Sequence, residues 1–139
     1  MSHRVRDLLK ISFQARSDQL RHVRERTRAV LMEQGCDEHF RETSVLALDE
    51  AVTNVIRHAY AMQSGEIILE ILSCGDSLLF RLTDFAPRQE WSRPAETASE
   101  KLRPGGLGIP LIQAIMDTVD YPEPPAGAGN VLEMSRRVN

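Results

Sequence analysis

The sequence predicts an α+β chain, in which a small number of helices share one core with antiparallel strands. Three stretches carry that expectation. Residues 46–60 form a long helical pattern without Pro or Gly. Residues 66–83 form two β-rich runs joined by a Gly-containing turn, and a second helical pattern opens directly out of the glycines at 105–108.

Composition sets the limits. A chain of 139 residues is expected to be one domain, 1–139. That length is enough to bury roughly two thirds of the unfolded surface. Hydrophobic residues make up 42% and charged ones 27%, which is ordinary globular composition. A net charge of −3 gives no basic excess to offset phosphates, so nucleic acid is not expected as a direct partner. No apolar run approaches the roughly 18 residues of a membrane span, and no signal-peptide pattern opens the chain, so a cytoplasmic protein without a membrane partner is expected. Cys36 and Cys74 have no metal-ligand spacing and read as free thiols.

In chain order, Leu9, Ile11 and Phe13 alternate within residues 5–15 and predict a strand at a sheet edge. Ser17 is an expected N-cap for a helix with Leu20, Val23, Thr27, Val30 and Leu31 inward, ended by Gly35. Its outer arginines (Arg21, Arg24, Arg26 and Arg28) read first as a solvated face and second as a docking surface for an acidic partner.

Asp37 is the expected cap of the next helix, which should run to about residue 61. On it Leu48, Val52, Val55 and Ala59 make one apolar stripe, while Glu50, Asn54 and Arg57, with His58 next to them, repeat the same spacing two residues on, nearly opposite. A carboxylate and an amide one turn apart can converge on one ion or reacting group; they can equally belong to a solvated face. His58 and Tyr60, flanking the small Ala59, read as structural.

Residues 66–72 and 77–83 predict an antiparallel hairpin in the middle of a sheet, with 73–76 as its turn. The second run ends at Asp84, where a carboxylate points into whatever crevice lies at the strand end, although a lone Asp after a strand is usually a turn residue. Residues 86–104 hold Pro87, Pro94 and Pro104 and one Trp without periodicity, which suggests a functional lid or a disordered loop. Pro104-Gly-Gly-Leu-Gly108 then leads into a helix over 109–119 with Pro110 in its first turn and Leu111, Ile112, Ile115, Met116 and Val119 apolar. Glycines before a helix let backbone N–H groups approach an anion, and they are equally ordinary loop residues. Residues 119–121 and 131–138 read as a final pair of strands.

The order Glu50-x-x-x-Asn54, Asp84-Phe-Ala-Pro87 and Gly105-Gly-Leu-Gly108 before a helix resembles the GHKL (Bergerat-fold) ATPases. Within them, Leu46-Ala-Leu-Asp-Glu-Ala-Val-Thr-Asn54 with His58-Ala-Tyr60 and the closing Gly129-Asn130 is similar to the anti-sigma-factor serine/threonine kinases of the RsbW type. This resemblance spans nearly the whole chain.

The resemblance implies a two-layer α/β sandwich with a mixed, mostly antiparallel sheet, three helices on one face and an ATP lid at about 86–108. It implies ATP and Mg²⁺ as cofactors. Asp84 would accept from the adenine amino group, with Ala86 close to the purine and Asn130 at the adenine end. Asn54 would be the Mg²⁺ ligand and Glu50 the general base toward a serine or threonine hydroxyl. The stretch Gly105, Gly106, Leu107 and Gly108 would cradle the phosphates. Lys101 and Arg103 would reach the γ-phosphate, or else belong to a solvated lid. The implied function is phosphorylation of a STAS-type anti-sigma antagonist and sequestration of a sigma factor, with a homodimer among the expected assemblies. A second reading keeps the fold and the pocket as a regulatory binding module without phosphotransfer.

Overall fold

The computed structural model of the chain describes residues 4–88 and 109–138. Strand β1 (Val5–Gln14) is followed by helix α1 (Leu20–Glu33), helix α2 (Glu38–Asn54) with a π-helical turn Val55–Ala59 at its end, and strands β2 (Glu66–Cys74) and β3 (Ser77–Asp84). Helix α3 (Ile109–Ile115) and strands β4 (Thr118–Asp120) and β5 (Asn130–Arg137) complete the described elements. The five-stranded sheet has the order β1-β2-β3-β5-β4. The expected α+β architecture is borne out, with the hairpin at the centre and β1 at an edge. All four pairings are antiparallel, so among the described residues the sheet is not mixed.

Alternation along each strand decides which face the helices cover. Leu9 and Phe13 of β1, Ile67, Leu69 and Ile71 of β2, Leu78, Phe80 and Leu82 of β3, and Leu132 and Met134 of β5 are buried in one core with Val23, Leu31, Leu48, Val52 and Ile112. Each such side chain contributes roughly 1.5–3 kcal/mol on burial. Across the other face runs a row of directly paired charges: Lys10 with Glu70, Glu70 with Arg81, Arg81 with Glu133, and Glu133 with Asp120. Arg81 bridges two of them, at 2.6 Å to Glu133 and 3.5 Å to Glu70.

Local chemistry sets most element ends. Gly35 takes φ 79°, and Cys36 N–H closes back on the Leu31 carbonyl at 3.0 Å, ending α1. The Asp37 carboxylate accepts from Phe40 N–H at 2.8 Å and starts α2.

Several expectations are corrected. Ser17 caps nothing: it lies inside a 3₁₀ turn, Ser17–Gln19, and α1 begins at Leu20. The arginine face of α1 is only partly solvated, because Arg24 reaches Asp49 at 2.8 Å and Arg28 makes a forked contact with Glu42, both on α2. The hairpin turn is tighter than 73–76, since Cys74 and Ser77 still pair and Gly75 supplies φ 64°. The last helix stops at Ile115 rather than 119. Asp117 N–H donates to the Ser135 carbonyl at 2.8 Å and the Asp117 carboxylate accepts from Arg137 N–H, so β5 captures the backbone before another turn can form.

On α2, Leu48, Val52, Val55 and Ala59 are buried as expected. The polar positions do not form one solvated face: Arg57 is exposed, Glu50 and His58 are half-buried, and Asn54 is buried. Arg136 of β5 fastens the start of this helix. One guanidinium nitrogen donates to the Phe40 carbonyl at 3.1 Å and to the Thr43 and Ser44 hydroxyls at 2.8 Å, with the group lying 4.3 Å over the Phe40 ring.

Candidate nucleotide site

Asp84 ends β3 on the helix-covered face and is only 2% exposed. It pairs directly with Asn130, the first residue of β5. Its Oδ1 accepts from Ala86 N–H at 3.0 Å and from Asn130 Nδ2 at 2.9 Å, and Asn130 Nδ2 also reaches the Pro87 carbonyl at 3.1 Å. Burial pushes the Asp84 carboxyl above its ordinary pKa, and the bonds from Asn130 and Ala86 oppose that push without cancelling it. A buried carboxylate held this way is a fixed acceptor, suited to a ligand that offers a donor.

The turn leaving β3 is compact. A Cβ on Gly129 would fall 1.7 Å from the Ala86 carbonyl oxygen, so only glycine permits this approach. Gly129 N–H donates to the Asp84 carbonyl at 2.8 Å. Ala86 is itself buried and serves as a backbone donor to Asp84. Next to this turn, Phe85, Pro87, Arg88, Pro124 and Gly127 join Ala86 and Gly129 around an open groove of about 570 Å³. Glu50 and Asn54 do not line that groove.

Asn54 is the last residue of α2 before the π-turn and is 5% exposed. Its side chain hydrogen-bonds to no described residue, and a buried amide without a partner is costly. That orphaned group fits a ligand to a hydrated cation that leans mainly on phosphate oxygens. Among the described residues no cluster of three acidic, His or Cys side chains is placed to hold a metal by itself. Glu50, one turn earlier, is half-buried and makes no ion pair or side-chain hydrogen bond among the described residues. A free carboxylate beside an orphaned amide is the minimum needed to receive a proton next to a bound cation. A π-turn in this position is notable because such turns recur at functional sites.

Lys101, Arg103, Gly105, Gly106, Leu107 and Gly108, with most of the expected lid at 86–108, lie outside the described residues. The described part of the site therefore joins Asp84, Ala86 and Asn130 through hydrogen bonds and places Glu50 and Asn54 on the helix packed above the sheet. Gly129 and Tyr60 enter the sequence analysis only as residues of the family resemblance, Tyr60 being read as structural, and neither carried an assigned contact at the site.

The sequence profile of the histidine kinase-like ATPase domain family matches residues 13–136. The serine-protein kinase RsbW of Bacillus pumilus (strain SAFR-032) is 29% identical over 144 aligned residues, covering 96% of this chain and 87% of that protein. The serine-protein kinase RsbW of Listeria monocytogenes serotype 4a (strain HCC23) is 36% identical over 83 residues, so the match spans about half of that relative, 53%. A crystal structure of the RsbU and RsbW domains of a Mycobacterium tuberculosis protein superimposes with a TM-score of 0.66 at 22% identity, covering 94% of this chain and 31% of that one. At that identity the last likeness speaks for the fold.

Proposed function

The chain belongs to the histidine kinase-like ATPase domain family, and from that premise we propose that it is an ATP-dependent serine/threonine protein kinase that acts as an anti-sigma factor. The observation that carries the reading is a clamped, buried acceptor at Asp84 together with a buried amide at Asn54 that bonds to no described residue. The adenine amino group would donate to Asp84, and Asn54 would contribute one oxygen to Mg²⁺. Glu50 would take the proton of an incoming serine or threonine hydroxyl as its oxygen bonds to the γ-phosphorus and the bond to the bridging β,γ-oxygen breaks, releasing ADP. Bound Mg²⁺ supplies neutralisation of phosphate charge, which is most of what phosphoryl transfer requires of a protein. Gly105, Gly106, Leu107 and Gly108 are assigned to the phosphates, and Lys101 and Arg103 to the γ-phosphate.

The relatives named RsbW support a STAS-type antagonist as the phosphate acceptor and a sigma factor as the sequestered partner. A homodimer is included in the proposal. Among the described residues no helix is long and apolar enough to cross a membrane.

The experiment is transfer of labelled phosphate from ATP to a purified STAS-domain antagonist, run beside a sigma-factor pull-down. Transfer that requires Mg²⁺ and Glu50 supports the kinase. Sigma-factor capture and ATP binding without any transfer would leave a regulatory binding module of the same fold.

A further inference from the structure

The peptide joining Asp84 to Phe85 is gripped from both sides. Its carbonyl oxygen accepts from Gly129 N–H, and its N–H donates to the Tyr60 hydroxyl oxygen, each at 2.8 Å. Tyr60 donates its own hydroxyl proton to the Glu66 carbonyl at 2.5 Å. One hydroxyl therefore bridges the first residue of β2 and the residue just beyond β3. Those ends are neighbours in the sheet, since Ile67 pairs with Asp84.

Two backbone irregularities and one close contact surround Tyr60. The π-turn widens the helix end, so that Tyr60 N–H bonds to the Val55 carbonyl five residues back at 3.0 Å. Ala61 and Met62 then take φ of 50° and 67°, a left-handed conformation that residues with a Cβ adopt only when their surroundings impose it. Finally, the Tyr60 ring rests on Gly65, where a Cβ would lie 2.1 Å from Cε1. Strained backbone of this kind collects where geometry matters to function.

We propose that Tyr60 is a positioning residue for adenine recognition: by fixing the peptide that follows Asp84, it fixes the direction in which the Asp84 carboxylate accepts. This rests on the reading of Asp84 as the contact for the adenine amino group. Hydrogen bonds weaken steeply when misaligned, so a carboxylate free to swing would lose much of its preference for that donor. Asn130 and Ala86 hold the carboxylate itself, while Tyr60 and Gly129 hold the backbone it hangs from. Three donors thus bond to Asp84 and a fourth group, the Tyr60 hydroxyl, holds the N–H of the next residue, the preorganisation expected of a specificity contact.

The test compares ATP with purine riboside 5′-triphosphate, which lacks the exocyclic amino group and so cannot use the Asp84 contact. Calorimetric affinities in the presence of Mg²⁺ are measured for the whole chain, for Tyr60→Phe, and for Gly65→Ala, which keeps the tyrosine but displaces its ring, and with it the hydroxyl, from Phe85 N–H. The parent should prefer ATP about tenfold or more. In Tyr60→Phe, ATP affinity should fall roughly five- to twentyfold, while affinity for the analogue stays within about twofold. Gly65→Ala should reproduce that pattern and decides the matter if Tyr60→Phe fails to fold. Unchanged ATP affinity in a folded variant, or equal losses for both nucleotides, would overturn the proposal and leave Tyr60 a purely structural tie. A parent that binds neither nucleotide, or both equally, would instead overturn the adenine reading of Asp84, and the role of Tyr60 would fall with it.

Discussion

Asn130 donates its side-chain amide to Asp84 at 2.9 Å across directly paired positions of β5 and β3. The two strands are joined in register at the point where the site begins, so the acceptor proposed for adenine is held by the sheet's own pairing. Other features of the site depend on that arrangement, and each gives a measurable consequence.

Asp84 costs the protein stability. Its folded pKa is raised because burial disfavours the charge. The folded state therefore keeps the proton longer than the unfolded state does. The stability associated with this group is fully present below the ordinary carboxylate pKa and declines as pH rises toward the raised folded value. Asp84→Asn keeps an oxygen for Ala86 and Asn130 but removes the titration. Its melting temperature relative to the parent should climb as pH rises through that window. Paired thermal melts from acid to neutral pH measure the difference, and a flat difference would contradict the assignment.

Gly129→Ala should damage both stability and binding. Its new Cβ would collide with the Ala86 carbonyl oxygen, and relief requires moving the turn that holds Asp84. A loss of about 1–3 kcal/mol is expected from overpacking of this kind, read by urea denaturation, together with weaker ATP binding in whatever fraction remains folded.

Arg136 tests the attachment of α2 to the sheet at a distance from the site. Arg136→Ala removes three donor contacts and the stack on Phe40. The expected cost is roughly 2–4 kcal/mol in denaturant melts. Arg136→Lys should recover only part of it, because an ammonium cannot reproduce the planar stack. Full recovery by lysine would show that charge alone matters there.

Glu50 and Asn54 separate chemistry from cation binding. Glu50→Gln should leave Mg²⁺-dependent ATP binding near the parent's value while labelled phosphate transfer falls by about 10²–10⁴-fold. Asn54→Ala should weaken Mg²⁺-dependent ATP binding and transfer together. Because the Asn54 side chain bonds to no described residue and is buried, its removal should leave the melting temperature unchanged or raise it. A marked loss of stability in Asn54→Ala would mean that the amide has a structural task instead.

Much of the fold was legible because its signals are local. The alternation of Leu9, Ile11 and Phe13, the stripe Leu48, Val52, Val55 and Ala59, the Asp37 cap and the glycine stop at Gly35 each depend on residues within a turn or two. The end of α3 was not legible, since Met116 and Val119 continue the apolar spacing and only the pairing of Asp117 with β5 stops the helix. Nor was the π-turn, because the spacing of 46–60 suits a regular helix equally well. The contacts that shape the site link distant positions: the family resemblance reached Asn130, which meets Asp84 from 46 positions away, but not the bond of Tyr60 to Phe85 from 25, and a tyrosine at a helix end carries no mark that distinguishes packing from clamping.

The most direct test of the account is calorimetric titration of ATP with Mg²⁺ into the whole chain and into Asp84→Asn, with folding checked by thermal melting. The account predicts saturable one-site binding by the parent. In the variant, affinity should be weaker by about tenfold or more, because a buried charged acceptor becomes an amide whose donor group faces the adenine amino group, while the variant melts no lower than the parent. A folded Asp84→Asn protein that binds ATP as tightly as the parent would contradict the placement of the nucleotide at this strand end.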